Sequence, residues 1–301
     1  MKKVLTWLVC IAVALSVGLQ FFWQGMPLDE HPTEHESLIA VVPKTFVHLT
    51  TETPNLIINT QIDEAFHNSL LVWYKNYLPW LTDFLGLNQH QPRSLVKPQA
   101  TIYPHFAAYS FATRTDARGI VTAEKNDHDQ LTENHLATYT HSPADHDFQR
   151  YDVSILRHET VHLFLNHHSG GLAINRTLDE GIASTCQHWN PQQELAWNLE
   201  HPPLEQLNLV RDHLRQKQQN LNAFLSLSAQ NWRRCTPEQT ALNYALAEMF
   251  VRWILNHEDG IHRLQNLIQA MIDGRDFDNQ LSRHTDEHSS VAFRTWIMQL
   301  P

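Results

Sequence analysis

The segment ILRHETVHLFLNHH, residues 155–168, sets four histidines and one glutamate among aliphatic neighbours. Residues 152–168 read as a helix that stops at Gly170-Gly171. Ile155, Leu156, Val161, Leu163, Phe164 and Leu165 surround the polar groups, which predicts a helix lying mostly inside the protein. Two readings compete. The chain carries 21 His in 301 residues, so these are open to being solvated or core-satisfied histidines. Against that, burying two imidazoles and a carboxylate without partners is unfavourable, and a bound cation removes the penalty.

His158-Glu159-Thr160-Val161-His162 fits the pattern H-E-x-x-H. At 3.6 residues per turn, positions four apart lie about 40° apart around the axis, one turn above the other. His158 and His162 can therefore point at one Zn²⁺ at about 2.0–2.1 Å. Glu159, on the edge of that face, is placed to take a proton from water and pass it to a leaving amine.

A third protein ligand is then required, and three residues compete for the role. His168 follows His162 by six positions, the spacing of a longer H-E-x-x-H-x-x-G-x-x-H motif, but Leu165 stands where that motif breaks the helix at Gly. If the helix continues, His168 points away and serves as a C-terminal residue complementing the helix dipole. Glu180, in RTLDEGIASTC, comes eighteen positions after His162, room for a turn at Gly170-Gly171 and a returning helix. Gly181, Ala183 and Ser184 give that helix a small-residue face suited to close packing. A capping box, Thr177-x-x-Glu180, is the competing use of the carboxylate. Asp179 is a further oxygen candidate, one register off.

The remaining pattern predicts an α+β fold: a small mixed N-terminal sheet with a helix, followed by a mainly helical half. Residues 46–53 and 55–60 alternate as short strands. Phe66, Leu70, Trp73 or Tyr74, Tyr77, Leu81 and Phe84 mark an amphipathic helix that Pro79 kinks or splits. Residues 99–111 and 119–126 read as strands around a turn at 116–119, and the polar stretch 127–148 as a loop. Helices follow over 203–227, 241–257, 260–274 and around VAFRTWIMQL, after a second helix starting near Thr177.

The N-terminus is a separate unit. Lys2 and Lys3 precede Val4–Trp23, twenty residues without a charge, long enough to span a bilayer and ending in an aromatic cluster. Residues 1–23 are read as a membrane anchor, with a cleaved signal peptide as the alternative, 24–40 as a polar linker and 41–301 as the folded domain. Either way the body lies outside the cytoplasm, in the periplasm. Cys186 and Cys235 are left in that exported part, where a disulfide is allowed. The formal net charge of −10 and the lack of a basic stripe argue against nucleic acid as a partner.

HETVH followed by LDEGIA resembles the gluzincin clan of zinc metallopeptidases, the thermolysin and zinc aminopeptidase type, and most closely bacterial peptidase MA-like domains. YALAEMFVRWILNHEDGIHRLQNLIQAMIDGRDF is similar to their downstream tyrosine-bearing helix, turn and following helix. HFAAYSFATRTDARGIVTAEKN resembles their edge-strand segment. The resemblance implies one Zn²⁺ held by His158, His162 and Glu180, Glu159 as base, and Tyr244 stabilising the oxyanion of the tetrahedral intermediate. The upstream segment that binds a substrate amino terminus in the aminopeptidases is not visible. The expected activity is hydrolysis of peptide or protein substrates by a membrane-anchored enzyme. A catalytically inactive zinc-stabilised module for binding or envelope assembly, and a histidine-rich metal buffer, are the alternatives.

Overall fold

The computed structural model describes residues 48–140 and 152–301, apart from 116, 118, 128–129, 173, 190–192, 218–219 and 276. The expected anchor, the linker and residues 41–47 of the expected domain lie outside the described residues. No helix among the described residues is long and apolar enough to cross a membrane. The fold is α+β: a mixed five-stranded sheet in the N-terminal half and twelve α-helices among the described residues.

Strands β1 (Leu49–Glu52) and β2 (Ile57–Thr60) form an antiparallel hairpin, with Leu49 opposite Thr60. Helix α1 (Glu64–Phe84) follows, capped by Asp63, whose carboxylate accepts from the Phe66 amide at 2.8 Å. It buries Phe66, Leu70, Tyr74, Tyr77, Leu81 and Phe84, the face expected from the three- and four-residue steps. Pro79 sits inside this one helix and does not split it.

The next segment departs from expectation. Strand β3 covers only Gln99–Tyr103, and Phe106–Thr113 form helix α2 instead of continuing the strand. Pro104 interrupts the run, and the His105 side chain caps the helix by accepting from the Ala108 amide at 3.1 Å. Strand β4 (Gly119–Lys125) is where the alternation placed it. Part of the stretch read as a loop is strand β5 (Leu131–Tyr139), which pairs antiparallel with β4 and parallel with β3. The sheet order is β1-β2-β3-β5-β4, so β4 forms an edge.

Helices α3 (Asp152–Ser169) and α4 (Arg176–His188) come next. Gly170 and Gly171, at φ of +65° and +74°, end α3 in the left-handed region that side chains disfavour, and the chain reverses. α3 lies against β4 and β5, where the buried Asn134 amide donates to the Leu163 carbonyl at 2.8 Å. The predicted helix over 203–227 is two: α6 (Leu204–Gln216) and α7 (Leu221–Leu225), after a short α5 (Leu195–Glu200). A short α8 (Ala229–Arg233) leads into α9 (Pro237–Leu255), α10 (Gly260–Asp273), α11 (Phe277–Ser282) and α12 (Glu287–Gln299). One hydrophobic cluster reaches from Leu56 through α1, α3, α4 and α9 to Ile297. On the other face of the sheet, Tyr109 of α2 packs against Ala137 and Tyr139 of β5.

α4 and α9 touch backbone to backbone. A Cβ on Gly181 would meet the Ala247 carbonyl oxygen at 2.5 Å and its carbon at 2.8 Å. Gly181→Ala must therefore pry the two helices apart, and chemical denaturation is expected to show a loss of about 3 kcal/mol. Cys186 and Cys235 are both free thiols. Cys186 is fully buried on α4, while the Cys235 sulfur is bonded to the Asn231 carbonyl and the Asn243 amide.

Candidate metal centre

α3 brings His158 and His162 onto one face, and α4 returns beside it carrying Glu180. His158 Nε2 and His162 Nε2 are 3.2 Å apart. Glu180 Oε2 lies 3.2 Å from the first and 3.4 Å from the second. Donor atoms bound to zinc at about 2.05 Å with tetrahedral angles stand roughly 3.3 Å from one another, so these three separations fit the edges of a zinc polyhedron. They are the one group of three ligating residues that could hold a metal among those described.

The capping-box use of Glu180 is not what the structure shows. The N-cap of α4 is Asn175, whose side chain accepts from the Leu178 amide at 2.9 Å. Thr177 is buried inside the helix and receives a hydrogen bond from the Trp232 indole at 3.1 Å. The carboxylate of Glu180 is left to face the imidazoles.

Asp179 approaches His162 from the other side, its Oδ1 2.7 Å from Nδ1. It is therefore not grouped with the ligating atoms. A hydrogen on Nδ1 facing Asp179 leaves Nε2 as a lone pair aimed at the centre, the usual way a carboxylate fixes the tautomer of a ligating histidine. Burial alone would lower the pKa of His162, but the carboxylates of Asp179 and Glu180 outweigh it and hold the pKa well above the usual imidazole range. Burial likewise pushes Glu180 up, and His162 and His158 override it, keeping the carboxyl well below its ordinary value. Three electron-pair donors converge on one point, an arrangement that suits a cation. Asp179→Ala is expected to weaken metal binding about 10- to 100-fold, measured by competition with a coloured chelator.

Glu159 lines the same cavity, about 510 Å³, with Gly119, Ile120 and Val121 of β4 and with Tyr244 of α9. Its side chain rests on Gly119: a Cβ there would stand 2.7 Å from Glu159 Cγ and 3.0 Å from Oε1. The Tyr244 ring is half-buried, its centroid 6.3 Å from that of His158. Burial and the neighbouring Glu180 carboxylate push its phenol pKa up, with Arg176 opposing. Tyr244 thus borders the three candidate ligands.

No family model matches the chain, and no curated protein matches it. The site is read on its own geometry.

The other candidates fall elsewhere. α3 runs unbroken past Leu165, so His168 stays on the helix and lines a separate cavity of about 350 Å³ with His90 and His167. Burial and the neighbouring His167 and His90 lower the pKa of His168 to about 4. Arg157 donates to the Trp189 carbonyl at 2.7 Å and lies over the Tyr77 ring, bracing α3, and it does not line the cavity of His158 and Glu180. Two neighbours escaped the sequence reading. Gly119 needed the fold to show what lies above it. Arg176, on the first turn of α4, pairs with Glu180 Oε1 and stands 3.7 Å from Asp179 Oδ2; its spacing of four from Glu180 was the available signal.

Proposed function

We propose that the chain is a zinc-dependent metallopeptidase of the gluzincin type, cutting peptide bonds in a cleft between α3 and the β4 edge. The observation that carries this reading is the spacing of His158, His162 and Glu180, with Glu159 beside them in one open cavity. Bound zinc would supply Lewis acidity, polarising the peptide carbonyl and acidifying a water at the open position. Glu159 would accept a proton from the attacking water and deliver it to the departing amine. The Tyr244 hydroxyl donates to the oxygen on which negative charge develops. Gly119, Ile120 and Val121 offer the unpaired backbone groups of an edge strand, along which an extended peptide lies as an added strand. The apolar Val4–Trp23 segment supports a membrane-anchored enzyme with its body in the periplasm.

Metal analysis of the full-length protein, followed by digestion of a broad peptide library, tests the reading. One zinc per chain, lost in His158→Ala, with cleavage abolished by a chelator and restored by zinc, is the expected result. Iron in place of zinc, or a zinc-loaded protein that cuts nothing, would overturn it, the latter in favour of a zinc-stabilised binding module.

A further inference from the structure

We propose that Arg176 reads a carboxylate on the substrate beside the bond to be cut, making the enzyme selective for peptides that carry an acidic group there. This rests on the peptidase reading above and names a substrate class for the same site. Arg176 is the sole lysine or arginine among the described residues that line the cavity; the other charged side chains there are Glu159, Asp179 and Glu180, besides the histidines. Its side chain is 43% exposed, whereas the two acids it touches are 6% and 1% exposed. The inner edge of the guanidinium is thus engaged with Glu180 and Asp179, and no other described residue forms a hydrogen bond or ion pair with it. A guanidinium carries five N–H donors in a planar fork that matches a carboxylate two bonds at a time. The N–H groups not spent on Glu180 and Asp179 are left for a ligand in the cavity that Arg176 lines.

The charge balance points the same way. Asp179 is also engaged by His162 Nδ1, and Oε2 of Glu180 faces the imidazoles, so a cation held there would draw on the charge that now offsets Arg176. Both acids that touch the arginine are thus shared with other groups, and Glu159 is the further carboxylate acting on it. Its contact with Glu180 limits the reach. A guanidinium touching one oxygen of a ligating carboxylate can meet a group on the residue adjoining the reacting carbonyl, because successive Cα atoms are only about 3.8 Å apart. Both a free C-terminal carboxylate and an acidic side chain present this chemistry.

The test uses zinc-loaded full-length protein and matched peptides differing in one group: Glu against Gln beside the cleaved bond, and a free against an amidated C-terminus. The expected result is a preference of about ten- to a hundredfold in kcat/KM for the carboxylate in at least one pair. Arg176→Ala, or Arg176→Gln should the alanine variant fail to fold, brings that ratio close to one with zinc content kept. A second readout needs no turnover. Zinc-loaded Glu159→Gln protein binds the same peptides, and fluorescence anisotropy should show tighter binding of the carboxylate form that Arg176→Gln removes. Which pair responds separates side chain from terminus. A wild type without preference, a ratio that survives in the variant, or zinc lost with Arg176 would each overturn the proposal, the last leaving the arginine as a brace for Glu180. A protein that cuts no peptide yet binds carboxylate peptides through Arg176 refutes the peptidase reading alone.

Discussion

Glu159→Gln is expected to lower kcat about a hundred- to ten-thousandfold while the zinc content stays at that of the wild type. The amide keeps the shape and the packing on Gly119 but offers no basic oxygen to receive a proton. On the proposed reading the ion would be held by His158, His162 and Glu180, and the substitution touches none of them. KM should change far less than kcat, since the lost step is a proton transfer made in the transition state. Steady-state cleavage alongside metal analysis reads both quantities from one preparation. Turnover that survives the substitution would remove Glu159 from the mechanism, whatever the metal content.

The second large effect concerns stability. Arg252 and Glu248 of α9 are buried together, 1% and 0% exposed. Arg252 Nε donates to Glu248 Oε1 at 2.9 Å, its NH1 donates to the Asn198 carbonyl, and His188 Nδ1 lies 3.0 Å from the other carboxylate oxygen. The network ties α9 to the end of α4 and to α5, behind the helix pair that carries Glu180 and Tyr244. Arg252→Ala leaves a buried carboxylate poorly compensated and is expected to destabilise the fold by about 3–5 kcal/mol. Thermal unfolding of the metal-free protein measures it.

The pH dependence identifies the cause. Burial pushes the Glu248 carboxyl up, but His188 and Arg252 outweigh it and hold the pKa below 4.5. A depressed folded-state pKa contributes stability that is present above the unfolded value and lost as pH falls through the folded one. The wild type therefore loses this contribution only in acid, below 4.5. With Arg252 gone, burial acts with less opposition and the folded-state pKa rises. The deficit of the variant should accordingly shrink as the medium is acidified and the carboxyl takes up a proton. A deficit that is flat with pH would mean that lost packing, not lost charge, causes the effect.

The sequence was most readable where neighbours along one helix make the feature. The paired imidazoles and the buried face of α1 follow from helical periodicity alone, and the stop at Gly170-Gly171 from backbone sterics. The second helix and its Glu180 were legible because a turn of known length must bring the chain back. Strand β5 was not, because Thr132, Glu133, Asn134 and His135 look like loop residues. Asn134 is buried because the Leu163 carbonyl of α3 accepts from it, and His135 sits 2.7 Å from the Thr101 hydroxyl of β3. Those partners are far away in sequence, so no local pattern reports them. Helix α2 was misread for the opposite reason: its aromatic residues favour strands, and a histidine cap decided the outcome. The capping box failed because Asn175, two residues earlier, offered a competing cap. Asp179 was a candidate oxygen ligand, but it faces Nδ1 of His162 instead, because of how α4 lies across α3.

Among the described strands β4 is an edge, a position that would ordinarily let copies of the chain zip together into fibres. Its two ends are unlike. Gly119, Ile120 and Val121 border the cavity, whereas Glu124 and Lys125 project into water where the register slips by one residue. Charge and a broken register discourage another strand from continuing past the cavity. On the proposed reading, a guest chain would be gripped for only a few residues beside the cavity, and the charged far end would disfavour pairing with another copy.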